Sequence, residues 1–479
     1  MLFTAEPYVL FLPSVVAVNW LLPASWRPAF LLAASYFFYA YWSWPYLFLI
    51  VSLTAFNYLV GLAQEKRKPR SRALLILAIV VDLGALGVFK YLGFFASSVN
   101  SLAQLVGGQG SLPVVSLVLP LGLSFFTFEF IHYQIDLLRG ADPIRDPIRY
   151  ALFPAFFPTQ IAGPIKRYED FDEQVRSRPA FNVALFWEGI ELIALGLFKK
   201  IVISDNVARV VIVMFHNPSH LGMGDAWLGA LAFWLQIYFD FSGYTDIARG
   251  SAQLFGYRIP FNFNAPYLAR NMQNMWTRWH MSLSFWLRDY VFTPLVYSRT
   301  LKRFRGNLRL VIGVMVTMIL CGLWHGAAGH FIVFGVMLGL TLILDRILEL
   351  RVWRRKMPRR VKVIGVWAQT QILALITIVL FVVPLGTALV VWKSMLTGPP
   401  AFLVANPLEV IQVVGIYAAT IGIQLALERW QLRELISRFE WSALVRPAYV
   451  TSLAAWSLYF AVVGSAFSLA SQRFVYFQF

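Results

Sequence analysis

The sequence has little charge and almost no cysteine. Only 14% of its 479 residues are Asp, Glu, Lys or Arg, against roughly a quarter in soluble domains. With 59% hydrophobic residues and a mean hydropathy of +0.64, a soluble fold could not cover its surface with polar groups. Cys321 is the single cysteine, which excludes an intramolecular disulfide and the usual multi-thiolate zinc sets. No HExxH and no Walker A loop are present, so zincin and P-loop chemistry are not indicated and no metal site is expected. Acidic residues are the scarcer sign, 24 against 41 basic, for a net charge of +17. That excess does not point to nucleic acid, because many of the basic residues fall in short segments between apolar runs. Lys66–Arg72, Arg299–Arg309 and Arg351–Lys362 are the main clusters. Such loops sit on the cytoplasmic side of membrane proteins, beside anionic lipid headgroups.

Several apolar runs approach the roughly 20 residues that a helix needs to cross a bilayer. Tyr8–Leu22, Tyr46–Leu62, Leu74–Phe89, Val114–Tyr133, Leu373–Trp392 and Ala448–Leu469 are read as spans. Trp42-Ser43-Trp44-Pro45 reads as an interfacial turn in an aromatic belt. The first apolar run carries Glu6 and has no basic residue before Arg27, unlike a signal peptide, so it reads as a retained span. The charge distribution places Arg27, 66–72, 351–362 and Arg429–Arg438 in the cytoplasm. Both termini and Gly398-Pro399-Pro400 then lie outside. The expected fold is an all-α polytopic membrane protein, one domain over 1–479, with roughly 11–13 transmembrane or re-entrant helices.

The middle of the chain departs from this pattern. From about residue 140 to 310 the apolar runs shorten and carry charge, and Pro154, Pro158 and Pro164 break one of them. Broken backbone at membrane depth is tolerated only against protein or a water-filled cavity. A site-bearing core is therefore expected at about 119–340.

Six histidines are the candidates for proton transfer. His216 and His220 lie in a polar loop and suit a solvated role, and His132 and His330 suit packing with a hydrogen bond. His325 ends an apolar run that starts near Leu310, where an ionisable group is costly and usually faces a cavity. Its ordinary titration range suits general acid–base work. A structural hydrogen bond is the alternative. Gly322 and Gly326 beside it would admit a ligand or a neighbouring helix. Cys321, one turn earlier, is either an inert buried thiol or a partner of His325. His325 and His330 are about 140° apart round a helix and form no matched ligand pair. A helix from about Asn274 to Tyr290 would place His280, Ser284 and Arg288 on one stripe, and Trp276, Trp279, Leu283, Trp286 and Tyr290 on another. The polar stripe suits either an interfacial helix or a conduit for a charged cofactor.

These residues belong to longer motifs. Leu119–Phe128, Gln160–Ile165, Tyr238–Asp246, Arg278–Tyr290, Gly322–Ala327 and Tyr476–Phe479 follow in one order along most of the chain. Together they resemble the membrane-bound O-acyltransferase (MBOAT) family, and especially its branch that serves bacterial alginate O-acetylation. The resemblance implies His325 as the catalytic histidine and His280 as the second family histidine. It also implies a tunnel that joins a cytoplasmic acyl donor to an outward-facing acceptor. Trp324, Ser284, Arg288, Arg278, Asp240, Asp246 and Gln160 are its implied wall residues. The implied donor is acetyl-CoA or a carrier-bound acyl thioester, with no bound cofactor. The implied setting is the bacterial inner membrane, with an acyl carrier protein or a periplasmic polysaccharide-modifying protein as partner. One stretch departs from that branch: Val291–Arg299 is closer to the D-alanyl-transfer proteins of teichoic acid modification. Acetyl transfer to an exopolysaccharide, D-alanyl transfer to an envelope polymer, and a conduit without its own chemistry are the functions left open.

Overall fold

The computed structural model describes residues 3, 6–67, 70–107, 112–113, 117–354 and 356–429. The expected span Ala448–Leu469, the stretch 430–438 and the motif Tyr476–Phe479 lie outside the described residues. Among the described residues every regular element is helical. Six helices are long and apolar enough to cross a membrane: Trp44–Glu65, Arg72–Leu105, Gly306–His325, Gly329–Arg351, Arg359–Val382 and Pro407–Arg429. Pro7–Leu21 and Leu385–Thr397 are shorter apolar helices.

These helices turn their apolar side chains outward. Ile76, Val80, Leu83, Ile364, Ile372, Ile411 and Ile423 are exposed, as a hydrocarbon solvent allows. The buried faces carry polar groups instead, among them Thr54, Asn57, Asp82, Thr317, Asp345, Thr370, Thr377 and Gln424. Lipid offers polar atoms no partner, so each must be satisfied inside the protein. Thr54, Thr317, Thr370, Thr377 and Thr420 each donate to the carbonyl four residues earlier.

Three expected elements begin late or are interrupted. In the run Val114–Tyr133 the described residues 117–122 are not helical, and the helix begins at Leu123. Pro120 precedes it, and Gly122 has a left-handed φ of 72°, where a Cβ would strike the carbonyl of Gln160. The run Leu373–Trp392 divides into Arg359–Val382 and Leu385–Thr397, because Pro384 cannot continue a helix. The amphipathic helix expected over 274–290 is also interrupted. It consists of Met272–Trp276, a turn at 277–280, and Met281–Leu287. His280, at φ 42° and ψ 51°, forms the break. The opposite happens at Leu74–Phe89, which runs on into one continuous helix, Arg72–Leu105, through a π turn at Gly87–Tyr91.

The chain forms two compact units, residues 1–193 with 245–260, and residues 194–244 with 261–479. In the first, residues 156–166 form the proline-broken segment, non-helical and buried throughout. Lys166 at its end is 2% exposed. Its Nζ donates to Glu129 Oε1 at 2.8 Å and Thr159 Oγ1 at 2.6 Å. The broken backbone thus lies inside protein, as membrane depth requires.

In the second unit the hairpin of Gly306–His325 and Gly329–Arg354 is the densest element. Gly322 and Gly335 let the two helices approach closely, Gly326 meets the Phe331 ring, and Gly339 meets Met315. A Cβ on Gly322 would come within 2.7 Å of Gly335 N, and one on Gly335 within 2.8 Å of Ile319 Cα. The glycines flanking His325 therefore admit the neighbouring helix. Gly322→Ala is expected to destabilise the protein by about 1–3 kcal/mol through overpacking. Gly335→Ala should do the same, and the double variant should cost less than the sum because both intrude on one contact. Thermal unfolding of the detergent-solubilised protein measures all three.

Candidate active site

His325 is the last residue of its helix, and the backbone turns extended at Gly326. Aromatic edges fix its ring: Trp324 at 4.8 Å, Phe381 at 5.0 Å and Phe334 at 6.0 Å between centroids. The ring is partly exposed, and the space it meets is a partly open cavity. The wall is almost wholly apolar, with Met275, Phe334, Phe381, Trp234 and Trp279 among its members. Thr377 also lines it, but its hydroxyl donates to Leu373 O at 2.8 Å. The imidazole thus stands in an apolar recess, at the C-terminal end of its helix.

His280 is 2% exposed and is not part of the cavity wall. Its ring meets Phe241 at 4.6 Å and Trp324 at 6.0 Å. Trp324 therefore touches both histidines. The left-handed backbone at His280 is held by its neighbours: Met281 N–H donates to Asn262 O, Asn264 N–H to Arg278 O, and Ser282 Oγ to Asn262 Oδ1. This turn places Trp279 face to face with Trp234, 4.4 Å apart and inclined by 17°. Asp345 anchors the preceding short helix by accepting from Met272 N–H at 2.8 Å.

The other sequence-derived candidates are dispersed. Arg278 is braced, donating to Glu428 Oε1 at 2.8 Å and Asn274 Oδ1 at 3.1 Å. Ser284 Oγ donates to Trp279 O. Arg288 is exposed, beside Asp289 and over the Phe285 ring. The left-handed backbone at His280 sets it apart from Ser284 and Arg288, which follow on the helical stretch after the break. Asp240 is 1% exposed and forms an ion pair with Lys200 at 2.7 Å. Asp246 and Gln160 belong to the first unit. Asp246 lies 3.7 Å from Arg249, and Gln160 is buried in the proline-broken segment. Cys321 is fully buried and not on the cavity wall. His132 bonds Phe128 O within its own helix, and His216 and His220 are exposed.

Two participants escaped the sequence reading. Trp234 lies in an apolar run, where an aromatic gives no sign of facing a cavity. Lys200 did carry a signal, because a cation inside the run Ala194–Val202 needs a buried partner.

Over residues 90–385 the chain matches the membrane-bound O-acyltransferase family model. It is 40% identical over 359 residues to the probable alginate O-acetylase AlgI of Azotobacter vinelandii, covering 73% of this chain and 70% of that one. It is 34% identical over 368 residues to the peptidoglycan O-acetyltransferase of Helicobacter pylori, covering 70% and 67%. The teichoic acid D-alanyltransferase of Bacillus subtilis is 34% identical over 229 residues, covering 47% and 58%. An imidazole in an apolar cavity, within an all-helical multi-pass membrane protein, agrees with what these similarities establish: the chain belongs to the membrane-bound O-acyltransferase family.

Proposed function

We propose that the protein moves an acyl group, acetyl in the reading its relatives favour, from a cytoplasmic thioester to a hydroxyl of an envelope polysaccharide. The hydroxyl belongs either to the polymer itself or to a periplasmic partner that completes the transfer. The observation that carries the proposal is the single imidazole at the end of the apolar cavity. The setting is the bacterial inner membrane. Basic clusters flank the far ends of both hairpin helices, at 299–309 and 351–362, and mark those ends as cytoplasmic. His325 lies about 30 Å along its helix from the first cluster, towards the outer face. The cavity reaches back from it past Phe334 and Leu338. A donor from the inside and an acceptor from the outside can therefore meet at the ring.

In the reaction, His325 takes the proton of the acceptor hydroxyl as its oxygen attacks the thioester carbon. The C–O bond forms, the C–S bond breaks, and the leaving thiolate recovers the proton from the imidazolium. His280 acts through Trp324 as a positioning residue. An acyl carrier protein or free acyl-CoA would serve equally as the thioester source.

The test is ester-linked acetate on the secreted and envelope polysaccharide of cells carrying wild type or His325→Ala at equal membrane abundance. Loss of acetate in the variant is the expected result. Undiminished acetate would remove His325 from the chemistry and leave an acyl conduit as the better description.

A further inference from the structure

Trp234 is one of the cavity-lining residues whose polar group the reaction above does not use. Trp234 is 5% exposed, and its indole Nε1 is buried with no hydrogen-bond partner among the described residues. A buried N–H without an acceptor is costly and is normally satisfied by protein, water or ligand. The indole is also held in one orientation. Trp279 stacks on its face, Tyr267 meets it edge-on at 5.8 Å, and Tyr267 Oη donates to Trp234 O at 3.1 Å. An unpaired, rigidly held donor on a residue that lines the same apolar cavity as an imidazole fits an uncharged ligand with one carbonyl oxygen to place. Charged phosphates do not fit such a wall.

We propose that the Trp234 indole N–H donates to the carbonyl oxygen of the acyl thioester and so positions the reacting carbon at His325. This rests on the reading of the cavity as the donor site. The N–H would also oppose the charge that grows on that oxygen when the acceptor attacks. Acyl-CoA and carrier-bound donors share the same pantetheine arm, so the proposal holds for either.

The experiment compares wild type with Trp234→Phe, which keeps an aromatic ring against Trp279 and removes the N–H. Two unreactive pantetheine probes are used. One is the ketone analogue of acetyl-pantetheine, with CH2 in place of sulfur, and the other is S-ethyl-pantetheine, which lacks the carbonyl. Trp234→Phe is expected to weaken the ketone about tenfold, the worth of one neutral hydrogen bond, and to leave S-ethyl binding unchanged. Turnover of acetyl-pantetheine should fall at least as far, chiefly in kcat. If Trp234→Phe does not fold, the tryptophan analogue with sulfur replacing the indole N–H, installed at position 234, keeps the shape and tests the same donor. Equal loss of both probes would overturn the proposal in favour of a packing role, and so would unchanged ketone binding. Failure of both probes to bind wild type would overturn the donor-site reading and this proposal with it. Ketone binding that is retained alike in wild type and Trp234→Phe would overturn the proposal alone.

Discussion

His325→Ala is expected to lower acyl transfer by about 10²- to 10⁴-fold, the usual contribution of a positioned general base. The fold should survive. The ring is partly exposed and packs edge-on against Phe381 and Phe334, so its removal enlarges an existing cavity and opens no new void in a dense core. The glycine contacts that join the hairpin are unaffected, because they involve Gly322 and Gly335 backbone. Thermal unfolding close to that of wild type, together with lost turnover, would separate chemistry from structure. His325→Gln adds a control: it restores polarity and approximate volume and cannot take the proton, so it should stay as inactive as alanine. Activity recovered by glutamine would mean that His325 only orients the acceptor through a hydrogen bond. His280 should behave differently. It is buried, off the cavity wall and in contact with Trp324. Its replacement should therefore disturb turnover through the position of Trp324 and lower the unfolding temperature at the same time.

The difference between the two histidines shows what could be read from the sequence. His325 stood out because an ionisable group at the end of a long apolar run needs a reason to be there, and the cavity supplies it. The long spans were legible for the same reason, since hydropathy over about 20 residues is a strong signal. Breaks inside apolar runs were less so. Pro384 divides one expected span, and the left-handed turn at His280 divides the amphipathic helix. A 3.6-residue pattern assumes the helix it is used to detect, so His280 reads as one stripe with Ser284 and Arg288 although its own backbone is left-handed. The chemistry of the cavity wall was hidden for a different reason. Trp234 and Phe381 sit in apolar runs whose lipid-facing and cavity-facing sides have the same composition. Only three-dimensional packing separates them. Asp240 is implied by the resemblance as a wall residue, and its ion-pair partner Lys200 is 40 residues earlier in the chain.

That partnership leads to the largest expected effect on stability. Lys200 is 1% exposed and lies 2.7 Å from Asp240 and 2.8 Å from Asp205. Asp240 is as deeply buried, and Asp205 is 16% exposed at its side chain. Lys200→Met removes the buried cation that bonds both carboxylates. Breaking a buried pair in this way costs about 3–5 kcal/mol, enough to deplete the folded protein from the membrane. Asp240→Asn should be milder, because Lys200 keeps Asp205 and the amide oxygen still accepts a hydrogen bond. Lys200→Met with Asp240→Leu should recover much of the loss, since an apolar pair of similar volume has no charge to desolvate. The decisive comparison is unfolding temperature against turnover across the three variants. If Asp240 is a brace, turnover per folded molecule stays near wild type in Asp240→Asn and in the double variant, while stability falls steeply only in Lys200→Met. If Asp240 instead serves the reaction, Asp240→Asn keeps its unfolding temperature and loses turnover, and the double variant stays inactive however well it folds.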